Sequence, residues 1–393
     1  MNVVSTSALP GLAFAAAVAL SACEPGPDRQ LLESTLDAAR EAAGAPGAIF
    51  GVRFPDGETE LVASGISDLE ADRRIRTSDP YFHGSITKTF TATLIMQMVD
   101  DGALDLAATV SDFLPDFPRG HEITIRHLLQ QTSGLKDFYL YFYMRPERDE
   151  MIDLVTREWT QDELIAYAGR FGHWFDPGTG WDYSSTNYFL LGVIAERATD
   201  RSLASLLRDR VFDPAGATST WLHEYEATRG QRSTGYVGFV EGWPHSEMFG
   251  GLASTRELES SNAEWAAGGA VGTASDALST MASLMEGRST SSQSLSDMTD
   301  FVDAASLGAE SAVPDLESRY GLGLMRIVRS GYELIGHGGI FLGHTAGLWH
   351  LPDCGVTVSL YLNRGFAPQR DVLDAMIPAL AAADARAAGC FGA

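Results

Sequence analysis

The sequence predicts an α+β chain of two lobes: an antiparallel sheet assembled from N- and C-terminal segments, flanked by helices, with a helical lobe inserted over about 90–290. Three observations predict it. Strand-like runs sit at the two ends of the chain, and helical periodicity fills the middle. The third is bulk: 393 residues with 45% hydrophobic content bury a large core, and a 20% charged fraction is too low for disorder.

Taken in order, residues 1–22 read as an export signal. Leu9 to Ala22 (LPGLAFAAAVALSA) is an apolar run too short to span a bilayer, and it ends in small residues. Leu20-Ser21-Ala22-Cys23 is similar to the lipobox of bacterial lipoproteins. That implies acylation of Cys23, a tether over 23–29, and anchorage to a lipid bilayer in the periplasm or at the cell surface. The segment before the run, MNVVSTSA, departs from the pattern in carrying no Lys or Arg.

The rest, 30–389, reads as one domain. Gln30 to Ala43 has helical spacing. Ala48 to Phe54 and Glu58 to Ser64 form a hairpin through Pro55-Asp56-Gly57, because Gly accepts positive φ and Pro presets its own. Ser85 to Asp101 places Ile86, Phe90, Leu94, Ile95 and Met98 at helical spacing, and Asp162 to Arg170, Tyr188 to Thr199 and Asp276 to Met285 look similar. Serine-rich Gly287 to Ser296 reads as surface loop. Strands return at Tyr320 to Val328, Tyr332 to Gly336, His344 to Leu351 and Val356 to Leu362, and a helix covers Asp371 to Ala387. After export two cysteines remain, Cys354 and Cys390, which either pair or stay as buried thiols.

A formal net charge of −24 and a pI near 4.6 exclude nucleic acid as a partner, since phosphate binding needs clustered Lys and Arg. Lysine is nearly absent: the chain has only Lys88 and Lys136. Ser85-Ile-Thr-Lys88 puts one of them a helical turn beyond a serine, where residues i and i+3 share a face and an amine approaches a hydroxyl. A crowded or buried ammonium loses its proton and acts as a base, which guanidinium does not. The spacing alone fits equally a serine capping a helix and a solvated lysine.

Other residues extend the pattern. Asp182-Tyr183-Ser184-Ser185-Thr186-Asn187-Tyr188 follows Pro177-Gly-Thr-Gly-Trp181, and His337-Gly338-Gly339 lies between strand-like runs. His127-Leu-Leu-Gln-Gln-Thr132-Ser133-Gly134-Leu135, Phe212-Asp-Pro-Ala-Gly216, Gly268-Gly-Ala-Val-Gly-Thr273 and Tyr320-Gly-Leu-Gly-Leu324 accompany them. In this order the chain resembles the serine β-lactamase and penicillin-binding protein superfamily. It looks most like the class C-like branch of class C β-lactamases, exported DD-carboxypeptidases, D-aminopeptidases and family VIII-type esterases.

The resemblance implies the β-lactamase-like (DD-peptidase) fold and an acyl-enzyme on Ser85, with Lys88 and Tyr183 moving protons. The Tyr183 phenol is expected to be made more acidic by the nearby ammonium. The oxyanion hole would be the backbone N–H groups of Ser85 and Ile340. Ser185, His337, Gly338 and Gly339 would bind substrate, the two glycines letting an edge strand approach it. Two departures bear on substrate: Ser185 stands where β-lactamases and DD-peptidases usually carry Asn, with Asn187 at another place in the pattern, and His337 replaces the lysine of K-T-G. Histidine is only partly charged near neutral pH, so a substrate carboxylate should be held less strongly.

The remaining candidates are plainer. His337, His344 and His350 lack the company of Cys-rich or H-E-x-x-H spacing, so no metal site is expected, and no organic cofactor. His127 reads as a packed or helix-start residue and Lys136 as a surface charge. Phe138 to Tyr143 either rims an acyl pocket or packs the helical lobe. The expectation is an exported serine hydrolase acting on a small ester or D-amino-acid peptide. A class C-type β-lactamase and a non-catalytic binder or sensor of peptidoglycan fragments or β-lactams are the alternatives.

Overall fold

The computed structural model describes residues 28–138, 157–238, 252–259, 262–304, 319–329 and 331–390. The export signal, Cys23 and most of the aromatic run after Phe138 lie outside the described residues.

Its frame is a nine-stranded antiparallel sheet whose two halves come from opposite ends of the chain. From the N-terminal end come β1 (Gly47–Arg53), β2 (Thr59–Asp68) and β3 (Arg73–Arg74). The C-terminal end supplies β9 (Val302–Asp303), β10 (Arg319–Tyr320), β11 (Met325–Arg329), β12 (Tyr332–Phe341), β13 (His344–Leu351) and β14 (Val356–Leu362). The strand order is β3-β2-β1-β14-β13-β12-β11-β10-β9. β1 therefore pairs with β2 from Gly47 opposite Gly65 and with β14 from Ala48 opposite Leu362. The Asn363 side chain secures this seam, accepting from the Gly47 N–H at 2.6 Å and donating to the Ile66 carbonyl at 2.9 Å.

Period-2 alternation sends successive side chains to opposite faces. Phe50, Val52, Val358, Leu360 and Leu362 pack against helices α1 (Arg29–Ala42) and α6 (Gln369–Ala383) through Leu32, Leu36, Val372, Met376 and Ile377. On the other face Ile49, Ala346, Leu348 and Tyr361 join the larger core built on helices α2 (Thr87–Asp100), α3 (Ser185–Thr199), α4 (Trp265–Gly268) and α5 (Ala274–Met285). Helices α2 and α3 are buried nearly all round, as a helix apolar on every side must be. The threonines of α2 fit there because Thr89, Thr91 and Thr93 donate to the carbonyls of Gly323, Ala266 and Thr89.

Several elements differ from the sequence reading. The run expected at Tyr320 to Val328 is two strands, because Gly323 at φ +79° turns the chain and the Gly321 N–H bonds back to the Leu324 carbonyl. The strand expected to stop at Gly336 runs on to Phe341 and so carries His337, Gly338, Gly339 and Ile340. Part of the serine-rich stretch is a helix, Ser292–Met298, since the Ser291 hydroxyl caps the Ser294 N–H. The last helix ends at Ala383, and the chain continues as a 3₁₀ segment from Ala385 to Cys390. There Cys390 is disulfide-bonded to Cys354 in the turn after β13. Short strands absent from the sequence reading also appear: β4 (Tyr81–Phe82), β5 (Trp221–Leu222), β6 (Tyr236–Val237), β7 (Ala253–Ser254) and β8 (Ala270–Gly272).

Candidate active site

Ser85 lies in a 3₁₀ turn, Gly84–Ile86, that leads directly into α2. The turn presses against β12: Gly84 has φ +53°, and a Cβ there would sit 2.7 Å from the Ile340 nitrogen. Gly339 completes the contact from the strand side, where a Cβ would sit 2.0 Å from the His83 carbonyl oxygen and 3.1 Å from the Ser85 nitrogen. Both glycines are thus required by main chain meeting main chain beside Ser85. Gly339 thus admits the serine's own loop, whereas Gly338 faces the Gln369 side chain. β11 pairs with β12 only from Tyr332 to Gly336, so the stretch from His337 to Phe341 presents its outer edge next to Ser85.

Lys88 follows one turn later, and its side chain is wholly enclosed. Nζ donates to Ser85 Oγ at 3.2 Å, to Ser185 Oγ at 3.3 Å and to the Ala267 carbonyl at 2.9 Å, and lies 4.9 Å from the centre of the Tyr183 ring. Burial pushes Lys88 down to about 8, against the opposing pull of the Glu264 and Asp137 carboxylates. A neutral amine is therefore within reach near neutral pH.

Tyr183 precedes α3 and has its hydroxyl enclosed, with no hydrogen bond of ordinary geometry among the described residues. The expectation of a more acidic phenol is overturned. Burial, with Tyr320 beside it, pushes Tyr183 well above the ordinary tyrosine value, and Ser85 is the neighbour that favours phenolate. Tyr183 in this arrangement holds its proton and is suited to relay one.

His337 is also corrected. It is 2% exposed, and burial followed by the Lys88 charge pushes it down to about 3, so it is neutral at physiological pH rather than partly charged. Its Nε2 meets the Tyr320 hydroxyl at 3.1 Å and its Nδ1 the Gly338 carbonyl at 2.5 Å, which fixes a tautomer with Nδ1 as donor and Nε2 as acceptor.

Ser85, Lys88, Tyr183, Ser185, His337, Gly339 and Ile340 thus come together, with Ile340 37% exposed. Asn187 does not join them: its amide is taken by Gln131 and Ser133. His344 and His350 bond elsewhere, to Tyr361 and Glu259 and to Thr357 respectively. His127 sits in a short helix, Ile125–Leu129, with Nδ1 on the Thr124 N–H. Lys136 stacks over Trp174 at 4.2 Å, and Phe138 packs in the core against Tyr167 and Phe189.

Sequence reasoning missed Asp137, Glu264 and the Ala267 carbonyl. Asp137 and Glu264 are 7% and 8% exposed, and Asp137 Oδ2 accepts from the Ser185 N–H at 2.6 Å. Asp137 directly follows the His127-to-Leu135 motif and Lys136, a signal of position; nothing in the sequence marks Glu264 as buried.

A serine hydroxyl against a partly neutralised lysine, a protonated tyrosine and a strand edge is equipped for nucleophilic attack with proton transfer. Comparison with known proteins agrees. The chain is 27% identical over 351 residues to a D-aminopeptidase of Cereibacter sphaeroides, covering 86% of this chain and 60% of that protein. It is 37% identical over 164 residues to the esterase EstB of Burkholderia gladioli, covering 39% and 41%. The chain spans less than two thirds of the length of the curated relatives it matches. Among solved structures, D-amino acid amidase from Ochrobactrum anthropi SV3 in complex with D-phenylalanine superposes with a TM-score of 0.80 at 25% identity, covering 90% of this chain and 99% of that one. Residues 32–383 match the Beta-lactamase family, and with its strand order and its serine–lysine–tyrosine cluster this chain belongs to that family.

Proposed function

We propose that the protein is a serine hydrolase that cleaves an ester or amide bond through an acyl-enzyme on Ser85. The observation that carries this reading is the enclosed Lys88 amine, 3.2 Å from Ser85 Oγ and pushed down to about 8 by burial. Ser85 Oγ attacks the substrate carbonyl carbon as its proton passes to neutral Lys88. The oxyanion is met by the backbone N–H groups of Ser85 and Ile340, each donor of this kind contributing about 2.7–4 kcal/mol. The proton moves on through Tyr183 to the departing amine or alcohol. Water then attacks the acyl-enzyme with the same groups in reverse, releasing the acid and restoring Ser85.

Neutral His337 supports a substrate without a carboxylate beside the scissile bond, because no charge is offered at that position. A D-amino-acid amide, a D-amino-acid peptide cleaved at its amino end, or a small ester fits better than a β-lactam. The names of the relatives, a D-aminopeptidase, an esterase and a D-amino acid amidase, support the same choice. The test is hydrolysis of p-nitrophenyl acetate, D- and L-phenylalanine amide and benzylpenicillin by wild type and Ser85→Ala. Expected are ester cleavage, preference for the D-amide, and a fall of at least ~10³-fold in the variant. Unchanged turnover by Ser85→Ala overturns the hydrolase, and penicillin opened faster than either other class overturns the substrate assignment.

We also propose export and lipid anchorage through Cys23, a reading supported by the Cys354–Cys390 bond, since such bonds persist in oxidising compartments. Palmitate labelling that is equal in wild type and Cys23→Ser would end that proposal.

A further inference from the structure

Lys88 is held by groups that are themselves held. Asp137 and Glu264 come from separate segments, and neither takes part in the bond changes at Ser85 set out above. The segment carrying Asp137 is stitched to the start of α3: the Thr186 hydroxyl donates to the Lys136 carbonyl at 2.8 Å and accepts from the Phe138 N–H at 3.0 Å. Between these two bonds the Asp137 carboxylate accepts the Ser185 N–H at 2.6 Å. The N-cap residue of α3, Ser184, makes no side-chain cap, so Asp137 supplies from another segment the negative charge a helix N-terminus favours. Ser185 in turn places its hydroxyl on Lys88.

Glu264 acts on the third bond of Lys88. Its carbonyl accepts the N–H groups of Ala267 at 2.7 Å and Gly268 at 2.9 Å, and so shapes the turn whose Ala267 carbonyl receives Nζ. Its carboxylate folds over that turn, where a Cβ on Gly268 would lie 2.1 Å from Oε2. An ammonium out of water is costly unless opposite charge is near. The other groups facing Lys88 are Ser85, Ser185, the rings of Tyr183 and Tyr188, and His337; none of them carries a negative charge at neutral pH.

We propose that Asp137 and Glu264 are positioning residues that fix Lys88 from two segments and set the charge it carries. The inference rests on the hydrolase reading above. Removing either charge should make Lys88 release its proton more easily, so the active form dominates at lower pH.

The experiment follows acylation of Ser85 by an uncharged fluorophosphonate across pH, read by intact mass, for wild type, Asp137→Asn and Glu264→Gln. Asn and Gln keep an acceptor and remove the charge. The wild-type rate should rise through a limb near 8, where burial holds Lys88. In each variant the limb should move down by about one pH unit, so that below it the variant labels up to ~10-fold faster than wild type. A merely structural lesion slows labelling at every pH without moving the limb. Should a single variant fail to fold, Gly268→Ala, which displaces the Glu264 carboxylate, must shift the limb the same way. Labelled wild type with unmoved limbs in the variants overturns this inference alone. Wild type that never labels overturns the hydrolase reading, and this inference with it.

Discussion

At the scale of single residues, Lys88 carries the largest conflict between folding and chemistry. The unfolded chain keeps the lysine proton to about 10.4, whereas the fold releases it near 8. Between those values the unfolded state binds more protons, so native stability must rise with pH. Lys88→Met removes the titrating group and the rise with it. Urea unfolding at pH 8 and pH 10 should show wild type gaining roughly 2–3 kcal/mol relative to the variant. A difference that stays flat across that range would mean Lys88 is not held in a proton-releasing environment. His337 repeats the theme with opposite consequence: burial leaves it neutral, so it offers no charge at its place beside Ser85.

At the scale of elements, β12 and the Ser85 turn form one device, and Gly338 and Gly339 of β12 separate its parts. Ala at 339 drives a Cβ into the His83 carbonyl, a main-chain atom that does not yield. Ala at 338 meets only Nε2 of Gln369 at 2.8 Å, the far end of a flexible side chain. Gly339→Ala should therefore push β12 off the serine and reduce kcat by about 10²-fold, the usual effect of displacement by about 1 Å, while Gly338→Ala stays within a few-fold. Esterase kinetics on the two variants decide it; equal losses would mean the contact is not what positions Ser85. This element was only half legible in the sequence. Apolar alternation marked Tyr332 to Gly336, but His337-Gly-Gly broke the pattern, since His337 is polar and packing against the turn forbids a side chain at 339. Strands such as β4, β5 and β8 are too short to show a period at all. The Ser85–Lys88 spacing was legible because it is local, and Tyr183 because the separate Asp182-to-Tyr188 motif, in its order along the chain, carried the family resemblance. Asp137 and Glu264 were not, because acidic residues read as solvated until the fold encloses them.

The whole molecule meets acid through its histidines. Burial pushes His83 and His337 down to about 3 and His350 to about 4, so all three are neutral in the fold. In the unfolded chain each takes a proton near 6.5. Below that pH the unfolded state binds about three more protons, and stability falls by roughly 4 kcal/mol per pH unit until the native values are reached. By pH 5 the loss is on the order of 6 kcal/mol, comparable to the whole stability of many domains. Carboxylates act later. The buried Glu259, which burial would raise, is held at about 2 by His344 and Arg232, so its contribution is lost only as pH falls from about 4.5 toward 2. Acid unfolding should therefore begin near pH 5, before the carboxylates titrate. His350→Gln, in a residue bonded through Nδ1 to Thr357 and outside the Ser85 cluster, should lower the slope by about a third without altering catalysis. Circular dichroism against pH for both proteins measures this. A transition confined below about pH 4, or an unchanged slope in the variant, would assign acid sensitivity to the carboxylates and not to the buried neutral histidines.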